Sequence, residues 1–263
     1  MDLISLNRQM SNFIEFGINN IATLKYYLGD IRKYKTTIKR NRQLHNLYTG
    51  ETCYILGNGP SLKDVDLSVL EGKYVITVNK SILTPVFDKM KPILHCVTDR
   101  AIFAQVKDAI EEKLQDKKCD TNFIMHRMAF DTYGDIDKAF YIYNTKAPTT
   151  KNMSCELDRH IPGYINILPF ATICAMYMGF KKIVYLGNDF SFFTARKDLH
   201  FYDVDLNIKR QESLQQDLLG CSIALQQYRR LYKFAKSKDV EILNATEGSL
   251  LDEIPQVKIS DTM

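Results

Sequence analysis

A chain of 263 residues, 45% hydrophobic and 25% charged, holds one large core, or one domain with an appendage, but not two full-sized domains. With only 12 glycines and 7 prolines, collagen-like and low-complexity chains are excluded, and no apolar run reaches the roughly 18 residues of a membrane span. The net charge of +4 is uneven: residues 1–50 carry +5 and the rest −1, which speaks against a nucleic-acid-binding surface on the main domain.

The first predicted element is a helix. Ile14, Ile18, Ile21, Leu24, Leu28, Ile31, Tyr34 and Ile38 recur every three or four residues, as one apolar stripe does. Lys25, Arg32, Lys33, Lys35, Lys39, Arg40 and Arg42 lie between and after them, with Asp30 the only acid in that stretch. Residues 1–49 therefore read as a basic amphipathic arm. Such an arm packs on its own domain, packs on a second copy in a homo-oligomer, lies on an anionic membrane surface, or, as the least favoured reading, binds nucleic acid. The N-terminus lacks the pattern of a secretory signal, and the six cysteines form neither a C-x-x-C pair nor a zinc-ligand cluster. The expectation is a reduced cytoplasmic protein, peripheral at the inner face of the cell membrane if the arm binds lipid.

From residue 50 to 263, short apolar runs alternate with helical patterns. This predicts one α/β domain, a Rossmann-like, mostly parallel sheet with helices on both faces. The predicted strands are Cys53–Leu56, Tyr74–Val78, Ile93–Val97, Asn122–Met125, Phe140–Tyr143, Lys182–Leu186 and Val240–Leu243. The predicted helices are Ile102–Leu114, Ile167–Met178 and Glu212–Ala235, the last with an inward stripe of Leu214, Leu218, Ala224, Tyr228, Leu231 and Ala235. Each strand hands over to a polar residue: Asn58, Asn79, Asp99, His126, Asn144, Asn188–Asp189 and Asn244. In open α/β sheets that end of the strands holds the ligand.

The sharpest local signal is Gly57-Asn58-Gly59-Pro60-Ser61, which follows the first strand directly. Glycines there let the backbone turn sharply and approach a ligand, and Ser61 with Asp64 has capping-box spacing. A helix opening at that point would aim N–H groups at an anion. The segment is neither a Walker A loop nor G-x-G-x-x-G. Two readings stay open, a structural strand-to-helix turn and a phosphate-proximal loop.

The run LGNGPSLKDVDL resembles the opening motif of the bacterial and archaeal 6-hydroxymethylpterin diphosphokinase-like family, and also the start of bacterial CMP-sialic-acid-dependent sialyltransferases. Thr77-Val78-Asn79, Val97-Thr98-Asp99, Ala171–Gly187 with Asn188-Asp189-Phe190, His200-Phe201-Tyr202-Asp203 and Asn244–Gly248 extend the resemblance over about 50–250. It implies a transferase that takes a nucleotide-activated, CMP-linked acidic sugar and a glycan acceptor for surface polysaccharide or glycan synthesis, with no required cofactor. The alternatives are a pterin diphosphokinase using ATP and Mg²⁺, and a non-catalytic nucleotide- or glycan-binding partner. The resemblance places Gly57, Asn58, Gly59, Ser61, Asn79 and Asp99 at the nucleotide; Asp99 stands where those transferases carry Asn.

His200 is the candidate general base, because an imidazole with a pKa near 6.5 suits proton abstraction from a sugar hydroxyl around neutral pH. It sits in a polar, aromatic stretch read as a lid, with Arg196 and Lys197 to neutralise a leaving phosphate and Tyr202 and Asp203 beside it. His126 is the reserve; His45, His95 and His160 read as structural or solvated. Asp99 and Asp189, as strand-end carboxylates, are candidates to orient the acceptor, act as base, or hold Mg²⁺ through water and phosphate. No dedicated metal ligands are assigned.

Overall fold

Eight parallel strands make up the sheet, in the order β6-β5-β4-β3-β2-β1-β7-β8. They are β1 (Thr52–Leu56), β2 (Tyr74–Val78), β3 (Leu94–Val97), β4 (Asn122–His126), β5 (Ala139–Pro148), β6 (His160–Gly163), β7 (Lys182–Leu186) and β8 (Glu241–Asn244). The helices are α1 (Ile31–Lys39), α2 (Pro85–Met90), α3 (Arg100–Gln115), α4 (Phe130–Tyr133), α5 (Ile167–Tyr177) and α6 (Leu214–Ser237). This computed structural model describes residues 13–14, 16–18, 20–21, 24, 28, 31–148, 153–191 and 214–263. His200, Arg196, Lys197, Tyr202 and Asp203 lie outside the described residues.

The expected α/β architecture is present. Strand side chains alternate between the two faces, and both faces are covered, so the strands read as continuous apolar runs. Cys53 and Ile55 of β1 enter a core with α5 and α6, while Tyr54 and Leu56 enter another on the opposite face. Every residue of α5 from Leu168 to Tyr177 is buried, which explains its apolar character all round. Each fully buried Ile or Leu contributes about 1.5–3 kcal/mol over an exposed one.

Two expectations need correction. In α6 the buried stripe is Cys221, Ala224, Gln227, Tyr228, Leu231 and Ala235; Leu214 and Leu218 are exposed. The sequence pattern also missed β6, whose residues His-Ile-Pro-Gly show no apolar run. A proline is tolerated there because β6 is an edge strand.

The end of the arm belongs structurally to the body. Tyr34 and Ile38 of α1 are buried with Tyr143, and Asn41 donates to the carbonyls of Tyr141 and Leu157, each at 2.8 Å. Arg40 pairs with Asp135 and Asp137, and Arg42 with Asp158. Asn46, Tyr48 and Gly50 continue the docking through backbone bonds to Tyr177, Met178 and Gly179. Tyr34 lies by Tyr143 and Arg127, just past the end of β4, whereas Arg40 lies by Phe140 and Asp135 at the start of β5. Helix α1 thus runs antiparallel to β5, and the chain enters it at the carboxyl end of the sheet.

Candidate functional site

β1 pairs with β2 on one side and β7 on the other, so the winding direction reverses at β1/β7. Such a switch point opens a crevice at the carboxyl ends of the strands. Both strands end there in Gly-Asn: Gly57-Asn58 after β1 and Gly187-Asn188 after β7.

The two loops close on each other. Gly57 N–H donates to Leu186 O at 2.7 Å, and Gly59 N–H to Gly187 O at 2.9 Å. A Cβ on Gly57 would stand 2.3 Å from Gly187 O, and one on Gly59 would stand 1.8 Å from Asp189 Oδ2. What these glycines approach is therefore the β7 end rather than open space awaiting a ligand.

Ser61 donates its N–H to Asp189 Oδ1 at 3.0 Å and its hydroxyl to Asp189 Oδ2 at 2.8 Å. The expected capping box does not form. Pro60–Asp64 is one short 3-10 helix, with Gly59 at its cap and no side-chain cap bond. The serine serves the β1–β7 junction instead, and Asp189, only 8% exposed, is the carboxylate that occupies it.

Three asparagines at adjacent strand ends carry buried polar atoms with no partner among the described residues: Asn58 Oδ1, Asn79 Oδ1 and Asn188 Nδ2. Each leaves an amide group unsatisfied at a cost of about 1–3 kcal/mol, so three together point to a partner that the described residues do not supply. Each is also oriented. Asn58 Nδ2 donates to Val78 O at 3.3 Å. The Asn188 N–H donates to Thr246 Oγ1 at 3.0 Å, its carbonyl accepts from Ser249 Oγ at 2.7 Å, and its Oδ1 accepts from Tyr228 OH at 3.4 Å. Burial raises the Tyr228 phenol pKa, which keeps that hydroxyl a donor.

Asn79 adopts a left-handed conformation, φ 53°, which asparagine tolerates better than most residues. His95 holds it there. Its Nε2–H donates to Asn79 O at 3.0 Å, which leaves Nδ1 to accept from Thr77 Oγ1 at 2.8 Å. Burial pushes the His95 pKa down to about 3, so the ring is neutral around pH 7. The unfolded chain takes up a proton near pH 6.5 that the folded chain refuses until about 3, so stability declines as pH falls through that window. Urea midpoints of the wild type should therefore drop more steeply between these pH values than those of His95→Gln. Parallel profiles would show that His95 is not the buried base responsible.

Of the sequence-predicted nucleotide residues, the fold brings together Gly57, Asn58, Gly59, Ser61 and Asn79, with Asp189 among them. Asp99 follows β3, the strand beside β2, and its carboxylate accepts from Ile102 N–H at 2.9 Å and caps α3. Its strand, β3, is three places from β7, about 14 Å at 4.8 Å per strand. Asp99 and Asp189 therefore do not converge on one ion. Among the described residues, no group of three or more His, Cys, Asp or Glu could hold a metal. His126 Nδ1 accepts from Met128 N–H at 3.2 Å and caps the turn after β4.

Sequence reasoning set Asn188 on the polar rim without giving it a role, and missed His95 and Tyr228 as site builders. Only Asn188 had a signal, the Gly-Asn pair repeated at both strand ends. A groove of about 520 Å³ lies elsewhere, on the β8 edge by Lys181, Tyr232, Lys236 and Glu241. None of the strand-end asparagines lines it.

No protein-family profile and no curated protein matches the sequence. Among solved structures, the chain is similar to the Maf glycosyltransferase of Magnetospirillum magneticum AMB-1, at 13% identity and a TM-score of 0.46 over 87% of this chain. It spans 38% of that enzyme's length. It is also similar to the sialyltransferase CstII of Campylobacter jejuni, solved with the substrate analogue cytidine-5'-monophosphate. There the identity is 15% and the TM-score 0.48, over 80% of this chain and 85% of the other. Likeness of this degree carries over neither enzyme's chemistry.

Proposed function

We propose that the protein is a glycosyltransferase whose nucleotide-activated donor, a CMP-linked acidic sugar, binds across the ends of β2, β1 and β7. The observation that carries this reading is the row of amide atoms on Asn58, Asn79 and Asn188 with no partner among the described residues. Amides offer both donors and acceptors, which suits a ligand rich in hydroxyls and base edges. The described side chains meeting there are amides, a serine hydroxyl and a carboxylate already bonded to it. The first turn of α5 lies beside Gly57, which puts the positive end of a buried helix near the donor phosphate.

In the proposed reaction the acceptor hydroxyl oxygen bonds to the anomeric carbon. The bond from that carbon to the phosphate oxygen breaks, and the nucleoside phosphate leaves with its electron pair. His200 takes the hydroxyl proton, and Arg196 and Lys197 offset the charge left on phosphate.

Thermal shift with CMP, UDP, GDP and ATP, with and without Mg²⁺, followed by assay of CMP release from a CMP-linked acidic sugar, tests the reading. CMP at a hundred times its Kd should stabilise the fold by about 2.7 kcal/mol without metal. Asn188→Asp keeps the acceptor for Tyr228 but replaces the free donor with negative charge, so it should weaken CMP binding at least tenfold (about 1.4 kcal/mol). Stabilisation by ATP with Mg²⁺ alone would favour the diphosphokinase. CMP binding with no CMP release would leave a binding module.

A further inference from the structure

The arm exposes an apolar stripe that the body does not use. Phe13, Ile14, Ile18, Ile21, Leu24 and Leu28 are between 45% and 77% exposed, and the described residues from 13 to 24 are all helical. Contiguous exposed apolar surface of this kind marks an interaction site. On a helix, residues seven apart fall nearly in line, so Ile14, Ile21 and Leu28 make one row. In the sequence the same seven-residue spacing leads from Ile18 to Lys25, Arg32 and Lys39. From 13 to 39 there are five basic residues and two acids, Glu15 and Asp30. Arg40 and Arg42 are not part of this charge, because they pair with acids of the body.

Apolar rows flanked by lysine and arginine fit the boundary between lipid tails and anionic headgroups, where long basic side chains reach outward while their stems stay in contact with apolar surface. Two copies pressed together along the stripe would instead bring two segments of like net charge together. We propose that residues 13–28 anchor the protein in the plane of an anionic lipid surface, with the basic start of α1 and the carboxyl ends of the strands turned toward it. The orientation follows from α1: Tyr34 lies past the end of β4 and Arg40 at the start of β5, so the anchor joins the body at the crevice end. Neither part depends on the proposed reaction.

The full chain should co-sediment with phosphatidylcholine vesicles containing about 30% phosphatidylglycerol at low salt. Binding should be about tenfold weaker to neutral vesicles, and about tenfold weaker again in molar salt, where the Debye length falls to about 3 Å. Ile21→Glu with Leu24→Glu should abolish binding with an unchanged melting temperature, since both side chains are exposed. Removal of residues 1–30 should do the same, whereas removal of 1–46 would also strip the buried Ile38, Asn41 and Leu44. On vesicles, an impermeant amine reagent should label Lys63, after β1, less than in solution, while Lys117 and Lys118, before β4, stay reactive. No preference for anionic vesicles at low salt would overturn the anchor. An oligomer that the double variant turns into monomer would assign the stripe to a second copy, and equal protection of all three lysines would overturn the orientation.

Discussion

His200→Ala is expected to lower turnover by about 10²–10⁴ while leaving CMP affinity within a few-fold of wild type. The split follows from the proposed division of labour. The donor rests on the oriented asparagines at the ends of β1, β2 and β7, and the base meets only the acceptor. Wild-type rate should fall as pH drops through the histidine pKa near 6.5, because protonated imidazole cannot accept the acceptor's proton. That acid limb should vanish in the variant. The remaining histidines are less suited to the task. Burial holds His95 down at about 3 and His160 at about 4, His126 caps a turn through Nδ1, and His45 packs on Tyr177. A full-rate His200→Ala enzyme would end the assignment. An acid limb that survives with a slower rate would give the proton to a carboxylate, with Asp189 first in line, since it alone of the two candidates lies at the switch point.

Gly57→Ala is expected to destabilise the fold by about 3 kcal/mol or more, beyond the usual cost of one methyl group in a packed site. The new Cβ would sit 2.3 Å from the carbonyl oxygen and 2.8 Å from the carbonyl carbon of Gly187. Both are backbone, so no side chain can swing away. Relief requires the ends of β1 and β7 to part, which breaks the bonds from Gly57 to Leu186 and from Gly59 to Gly187. Urea unfolding should show the loss as a lower midpoint at similar slope. Gly59→Val is correspondingly a poor probe of ligand binding, because it strikes Asp189 and Gly187 before it reaches any ligand. Gly220→Ala provides the contrast: nothing lies within 4 Å of its Cβ, and alanine in the middle of α6 should stabilise by up to about 1 kcal/mol. Equal effects at Gly57 and Gly220 would mean that the β1–β7 contact is not the constraint.

The sheet was legible in the amino-acid order because burial on both faces demands short, unbroken apolar runs, although β5 runs on past the expected Tyr143 to Pro148, so Asn144 lies inside the strand and not at its end. Tyr74–Val78 and Lys182–Leu186 match the strands residue for residue. β6 escaped because an edge strand needs neither an apolar run nor freedom from proline. The stripe of α6 was misjudged at Leu214 and Leu218, since periodicity names a face but not how far along the helix that face finds a partner. The glycine-rich turn was equally visible, but its purpose was not. Ser61 and Asp64 have capping-box spacing, yet a carboxylate 128 positions away takes both donors of Ser61. Asp99 and Asp189 look alike as strand-end acids, and only strand order separates them, because adjacency in a sheet is set by how crossovers wind. The sequence by itself determined a parallel α/β sheet, a basic apolar arm and a polar rim of strand ends. Tertiary structure alone decided which strand ends meet at the switch point, and so that Asn188 joins Asn58 and Asn79 while Asp99 is left to cap a helix.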